Sequence, residues 1–178
     1  MLYHASTMSK TALITGASSG IGYALARRFA QDGVNLVIVA RDETRLGQIA
    51  AEMHAAAGVS VKVIAGDLSR PAAPAEIYRE TEDAAIEVDY LVNNAGFGAI
   101  GPFTETDLQA ELDMLQVNVV SLVHLTKLYL AGMRTRGSGR ILNVASTAAF
   151  QPGPLTMRAK HSCSHSRRPS PKNSAAQK

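Results

Sequence analysis

The chain has 178 residues, 46% of them hydrophobic, one cysteine and a formal net charge of +3. That length is enough for one domain with a buried core, and no apolar run approaches the ~18 residues of a membrane span. The single cysteine excludes an internal disulfide framework and fits a reducing cytoplasm. The first residues, MLYHASTMSK, lack the apolar core of a signal peptide, and Met8 stands directly before the first patterned run, so residues 1–8 read as a disordered extension.

Charge divides the chain. Six of the 18 Lys and Arg (Arg158, Lys160, Arg167, Arg168, Lys172 and Lys178) lie after Leu155, where no Asp or Glu occurs. Residues 1–155 therefore hold twelve basic against fifteen acidic side chains, net −3, and the tail holds +6. A basic tail can meet nucleic acid or an anionic membrane. With no aromatic residue interleaved for stacking, it reads instead as an unfolded polar end, and neither partner is expected.

In chain order, TALIT (11–15) is an apolar run that stops at a Gly-rich turn, the pattern of a buried strand. GYALARRFAQDG (22–33) follows as a helix, with Ala24, Leu25, Arg28 and Phe29 at helical spacing and Gly33 as its stop. VNLVIVA (34–40) is a second buried strand. RDETRLGQIAAEMHAAAG (41–58) is a helix with Asp42 as N-cap and Leu46, Ile49, Ala50 and Met53 on one face. SVKVIAGD (60–67) is a third strand, and Pro71 and Pro74 open a weaker helix running to Ala85. VDYLVNNAG (88–96) is a fourth strand, residues 106–137 a long helix, and GRILNVAS (139–146) a fifth strand. Alternating strands and helices define an α/β fold with a parallel sheet, right-handed crossovers and helices on both faces. Strands this apolar are expected to be buried on both sides.

TGASSGIG (15–22) joins the first strand to the first helix. Its glycines permit a tight turn and let a pyrophosphate approach the backbone, while the helix N-terminus presents unpaired N–H groups. The second strand ends in VARD. Arg41 at this place suits a ribose 2′-phosphate, and Asp42, which could serve a free 2′-hydroxyl, reads as the helix cap. The turn therefore points to NADP over NAD.

TGASSGIG, GDLS, NNAG, the VN of the long helix and NVAS stand in the order and spacing of the short-chain dehydrogenase/reductase family, which residues 9–155 resemble. The resemblance implies a Rossmann-type doubly wound parallel sheet with strand order 3-2-1-4-5, lacking the family's last two strands. It implies hydride transfer between a nicotinamide and a carbonyl or alcohol, in a homodimer or tetramer. Gly16, Gly20 and Gly22 would shape the phosphate turn, with Ser18 and Ile21 near the pyrophosphate. Asp67 and Leu68 would contact adenine, and Asn94, Ala95 and Gly96 would border the ribose and nicotinamide. Asn118 resembles the asparagine that holds a water in the proton relay, and Ser146 the serine that hydrogen-bonds the substrate oxygen. Plainer roles compete: Ser146 could simply end a strand, Asn118 could satisfy a helix kink, and Asn93 could tie strands together. His124 and His54 read as ordinary packed or solvent-facing side chains. HSCSH (161–165) lacks a second ligand pair, so no metal is expected. The apolar stretch FGAIGPF (97–103) would line a site for a nonpolar substrate.

The family's chemistry also uses a tyrosine followed four residues later by a lysine, the cation favouring the phenolate. Spacing from Ser146 puts that tyrosine near Ala159, yet no tyrosine follows Tyr129. Synonymous codons exist for Thr156 to Ser174 that, read from the last base of the Thr156 codon, spell Tyr-Ala-Ser-Lys, its lysine three residues after the tyrosine and so one residue short of the family spacing, and then an amphipathic helix. The expectation is a shifted frame with a small deletion after Leu155, and an inactive chain with an exposed fifth strand and a weakened dimer; a non-catalytic nucleotide-binding module and a nonfunctional fragment are the alternatives.

Overall fold

The computed structural model describes residues 9–98 and 104–146. The extension 1–8, most of FGAIGPF and everything expected of residues 147–178 lie outside the described residues.

Five runs pair into one parallel sheet: β1 (Thr11–Thr15), β2 (Asn35–Ala40), β3 (Val61–Ala65), β4 (Tyr90–Asn93) and β5 (Arg140–Asn143), in the order β3-β2-β1-β4-β5. β1 lies at the centre, with Ile14 beside Ile38 on one side and Val92 on the other. Every residue of β1 is buried.

Strand alternation sorts side chains into two cores. Leu13, Val37 and Leu91 face a layer with Ile77, Leu125 and Tyr129. Ala12, Ile14, Ile38 and Val92 face one with Ala26, Ala30, Leu46 and Ile49. The first layer comes from α3 (Ala73–Asp83) and α5 (Leu122–Arg136), the second from α1 (Gly20–Gln31) and α2 (Glu43–Ala57). Helices thus cover both faces of a doubly wound sheet. In α2 the Asp42 side chain accepts from the Arg45 N–H, and Leu46, Ile49 and Met53 form the buried face. The helix stops at Gly58 in the left-handed region.

Expectations for the helices need correction. In α1 the buried stripe is Gly22, Ala26 and Ala30, while Ala24 and Arg28 face solvent. Small side chains bring the helix axis close to the sheet, and Leu25 and Phe29 pack at its flank. The long helix is not continuous: α4 (Leu108–Leu115) and α5 are joined by a π-helical turn, Gln116–Ser121. β5 is the exposed fifth strand expected above, at the end of the sheet order with Leu142 46% exposed. By length and composition alone, Leu108–Arg136 would pass for a membrane span, against the expectation above. Its inner side chains Met114, Leu125, Tyr129 and Met133 are buried within the fold. One of them is pinned: the Tyr129 hydroxyl lies 2.9 Å from Thr81 Oγ1, and its ring meets that of Tyr78 edge-on. Burial, above all, holds the Tyr129 phenol well above its ordinary pKa.

Candidate active site

All five strands run the same way, so their carboxyl ends and the loops that leave them gather along one edge of the sheet. A cavity of about 1040 Å³ opens there. Its lining includes Gly16, Ser18 and Ile21 from the first turn, Arg41 after β2, Asp67 and Leu68 after β3, Asn94, Ala95 and Gly96 after β4, Asn118 from the π turn, and Ser146 after β5. The structure thus gathers around one space eleven of the thirteen site residues expected from the sequence. Gly20 and Gly22 do not line it; they shape the turn behind it.

The first turn is built by close approach. Gly16 and Gly20 adopt φ of +66° and +55°, the left-handed region where a side chain is strained. A Cβ on Gly22 would lie 2.2 Å from the Gly16 carbonyl oxygen. The Ser19 side chain makes no cap bond at the N-terminus of α1, and the first turn holds no acidic residue. N–H groups and positive dipole therefore remain for an anion.

The two loops flanking β1 and β4 are clamped together. Thr15 Oγ1 accepts from the backbone N–H groups of Asn94 and Ala95, both at 3.0 Å. Asn94 Nδ2 donates to the carbonyls of Thr15 at 2.9 Å and Gly16 at 3.1 Å. Thr15 and the Asn94 amide so fix the floor of the cavity, a role for Thr15 that the sequence reading missed. The hint was present in a hydroxyl at the last strand position before the turn. Asn93, one residue earlier, is buried and donates to Thr126 Oγ1 at 3.1 Å and Asn143 Oδ1 at 2.9 Å, tying β4 to α5 and β5.

Arg41 and Asp67 set the charge at one end. Asp67 Oδ1 accepts from the Ser69 N–H at 3.0 Å. That bond first, and the Arg41 and Arg70 guanidinium groups after it, hold the carboxyl below its ordinary pKa against the opposing effect of partial burial. Asp42 also lines the cavity, but its carboxylate is engaged by the Arg45 N–H at 2.9 Å.

At the other end, Asn118 is buried and its amide is matched to one backbone. Nδ2 donates to the Phe97 carbonyl at 2.8 Å and Oδ1 accepts from the Phe97 N–H at 3.2 Å. The π turn presents this side chain to the loop after β4. Ser146, three residues beyond β5, is exposed to the cavity. His124 is half-buried on α5, and His54 Nδ1 lies 3.1 Å from the Val59 carbonyl oxygen, away from the cavity.

The family model for short chain dehydrogenase matches residues 10–160, and the chain belongs to that family. It is 35% identical over 150 residues to a very-long-chain 3-oxoacyl-CoA reductase of Anas platyrhynchos, covering 81% of this chain and 47% of that one. It is 33% identical over 142 residues to an oxidoreductase of Staphylococcus saprophyticus, covering 80% and 61% respectively. Among solved structures, L-sorbose reductase from Gluconobacter frateurii, complexed with NADPH and L-sorbose, superposes with a TM-score of 0.81 at 34% identity, covering 86% of this chain and 60% of that one. A short-chain dehydrogenase from Sphingobium yanoikuyae in complex with NADPH gives 0.78 at 35%, covering 86% and 59%. The chain thus spans less than two thirds of the length of each of these relatives.

Proposed function

We propose that this chain binds NADP(H) in the fold of an oxidoreductase that moves a hydride between a nicotinamide and a carbonyl or alcohol. The observation that carries the reading is the division of labour between Arg41 and Asp42. Both line the cavity, but the Asp42 carboxylate caps α2 and the Arg41 guanidinium forms no ion pair among the described residues. Arg41 is therefore available to a 2′-phosphate. The uncapped N-terminus of α1 and the close approach of Gly22 to Gly16 suit a pyrophosphate. Asp67 and Leu68 would border adenine, and Asn94, Ala95 and Gly96 the ribose and nicotinamide. The bound dinucleotide would supply or accept the hydride. The NADPH named for two of the structural relatives agrees with this cofactor.

In the chemistry, the Ser146 hydroxyl would hydrogen-bond the substrate oxygen beside the backbone that Asn118 fixes at Phe97. A proton must also reach that oxygen. No tyrosine follows Tyr129 in the 178 residues, and the Tyr129 phenol is buried against Thr81. The reading is therefore a chain that binds the cofactor and does not turn over. A reading frame shifted after Leu155, which synonymous codons permit, would account for the missing tyrosine. Self-association, where it occurs, would use the outer face of α4 and α5, which leaves Leu108, Leu112, Val123 and Leu130 exposed.

Titration of the chain with NADPH and NADH, read by nicotinamide fluorescence, tests the cofactor. NADPH binding at least tenfold tighter than NADH is expected, and equal affinities would refute the Arg41 reading. NADPH oxidation with a panel of aldehydes and ketones tests the chemistry: turnover above a Ser146→Ala control would overturn the inactive assignment. Sequencing the gene around the Leu155 codon tests the frame.

A further inference from the structure

The π turn makes two attachments, and the function described so far uses one. Asn118 holds the Phe97 backbone. One turn further on, Ser121 is completely buried, and its hydroxyl donates to the carbonyl oxygen of Leu68, 2.7 Å away and 53 residues distant in sequence. The same hydroxyl accepts from Gln116 Nε2 at 3.2 Å. In an α-helix, residues five apart point roughly 140° away from each other. The wider π turn brings Gln116 and Ser121 together, so the chain Gln116–Ser121–Leu68 depends on the distortion that also presents Asn118. Leu68 belongs to the short turn after β3 that is otherwise held by Asp67, which accepts from Ser69 through its side chain and from Arg70 through its carbonyl. Those bonds fix the turn's shape but lie within it. The Ser121 bond fixes where the turn sits relative to the helix that carries Asn118.

We propose that Ser121 is a positioning residue for the adenine end of the nucleotide site. It locks the 67–70 turn to the π turn, so that the two ends of the cavity keep the spacing one dinucleotide needs. This rests on the nucleotide reading above. Without the hydroxyl, the turn samples other positions, and apparent affinity falls by the fraction of time it is correctly placed. A lost hydrogen bond to a buried carbonyl corresponds to about a tenfold loss.

The test uses the full 178-residue chain, Ser121→Ala and Gln116→Met. Each is titrated calorimetrically with NADPH and with 2′,5′-ADP, which carries only the adenosine half of the dinucleotide, and each is followed by hydrogen exchange without ligand. Ser121→Ala is expected to weaken both ligands by the same factor, about tenfold, and to speed exchange at the Ser69 and Arg70 amides. Gln116→Met should change both in the same direction by a smaller factor. A general loss of stability would not single out those amides at temperatures well below melting. Binding of 2′,5′-ADP by folded Ser121→Ala within twofold of the wild type overturns the inference and leaves the nucleotide reading intact. If Ser121→Ala does not fold, unchanged affinity and exchange in Gln116→Met overturn it instead. A wild-type chain that binds neither ligand overturns both.

Discussion

Replacing Gly22 with alanine would place a methyl carbon 2.2 Å from the Gly16 carbonyl oxygen and 2.5 Å from Asn94 Nδ2. Neither neighbour can yield cheaply. One is backbone in a turn whose glycine is already at positive φ, and the other is an amide bonded to the carbonyls of Thr15 and Gly16. Relief to an ordinary contact requires α1 to retreat by roughly 1 Å, which opens the tight seam at Ala26 and Ala30. Overpacking of this kind costs about 1–3 kcal/mol. Loss of the two Asn94 bonds adds about 1 kcal/mol each. The better helix propensity of alanine returns about 1 kcal/mol. The net expectation for Gly22→Ala is a destabilisation of about 2–4 kcal/mol, a large share of the stability of a domain.

The matched control is Gly47→Ala. Gly47 lies inside α2, exposed, and a Cβ there meets nothing within 4 Å. The same substitution should stabilise by about 0.5–1 kcal/mol. Urea unfolding followed by circular dichroism compares the two. A Gly22→Ala midpoint equal to or above that of the wild type would refute the close-approach argument.

Arg41→Ala removes the cation available to a 2′-phosphate. NADPH affinity should fall about 10–100-fold while NADH affinity holds, measured by fluorescence titration. Thr81→Val leaves the buried Tyr129 hydroxyl and the Tyr78 carbonyl without their shared partner. It should cost about 1–3 kcal/mol in urea unfolding. Asp67 titrates below its ordinary value in the folded chain. Its contribution to stability is therefore fully present above the unfolded pKa of about 3.9 and is lost as pH falls through the lower folded value. The stability difference between the wild type and Asp67→Asn should be flat above about pH 5 and shrink below it. A difference that grows on acidification would contradict the assigned direction.

The elements were legible where local rules act alone. The runs that became β1 and β2 are apolar without interruption, and the Asp42 cap stands four residues before Leu46 at the start of a clean helical stripe. Strand ends were read too long, since apolar residues continue past the last ladder bond into the loops that form the cavity, as at Ala95 after β4. The seam of α1 was misread because hydrophobic spacing favours Leu25 and Phe29, whereas proximity to the sheet favours the small Gly22, Ala26 and Ala30. The π turn left one trace, the polar Asn118 in an apolar helix; it adds one residue to the hydrogen-bond ladder and brings no glycine or proline to mark it. The site residues that occupy loops after strands could be read from a motif. Thr15 and Ser121 could not, since their partners lie about 80 and 53 residues away and only the folded chain brings them together.

On the proposed reading, nucleotide binding and substrate activation would fall to different parts of this architecture. The groups that would hold a dinucleotide all come from residues 16–118, and the bonds that fix the loops bearing them lie within residues 15–121. The Asn94 amide and Thr15 join the loops at the centre of the sheet, Ser69 orients the Asp67 carboxylate, and Asn118 grips Phe97. Ser146 differs in kind: it projects from the end of a strand that pairs with β4 on one side and leaves Leu142 open to solvent. A hydroxyl on such a strand end is aimed only as well as β5 is held, and Asn93 with Asn143 supplies one side-chain tie. Nucleotide affinity and substrate activation should therefore respond to different perturbations. Weakening β5 would loosen Ser146 first, while the turn at residues 16–22, seated on the fully buried β1, would keep its geometry.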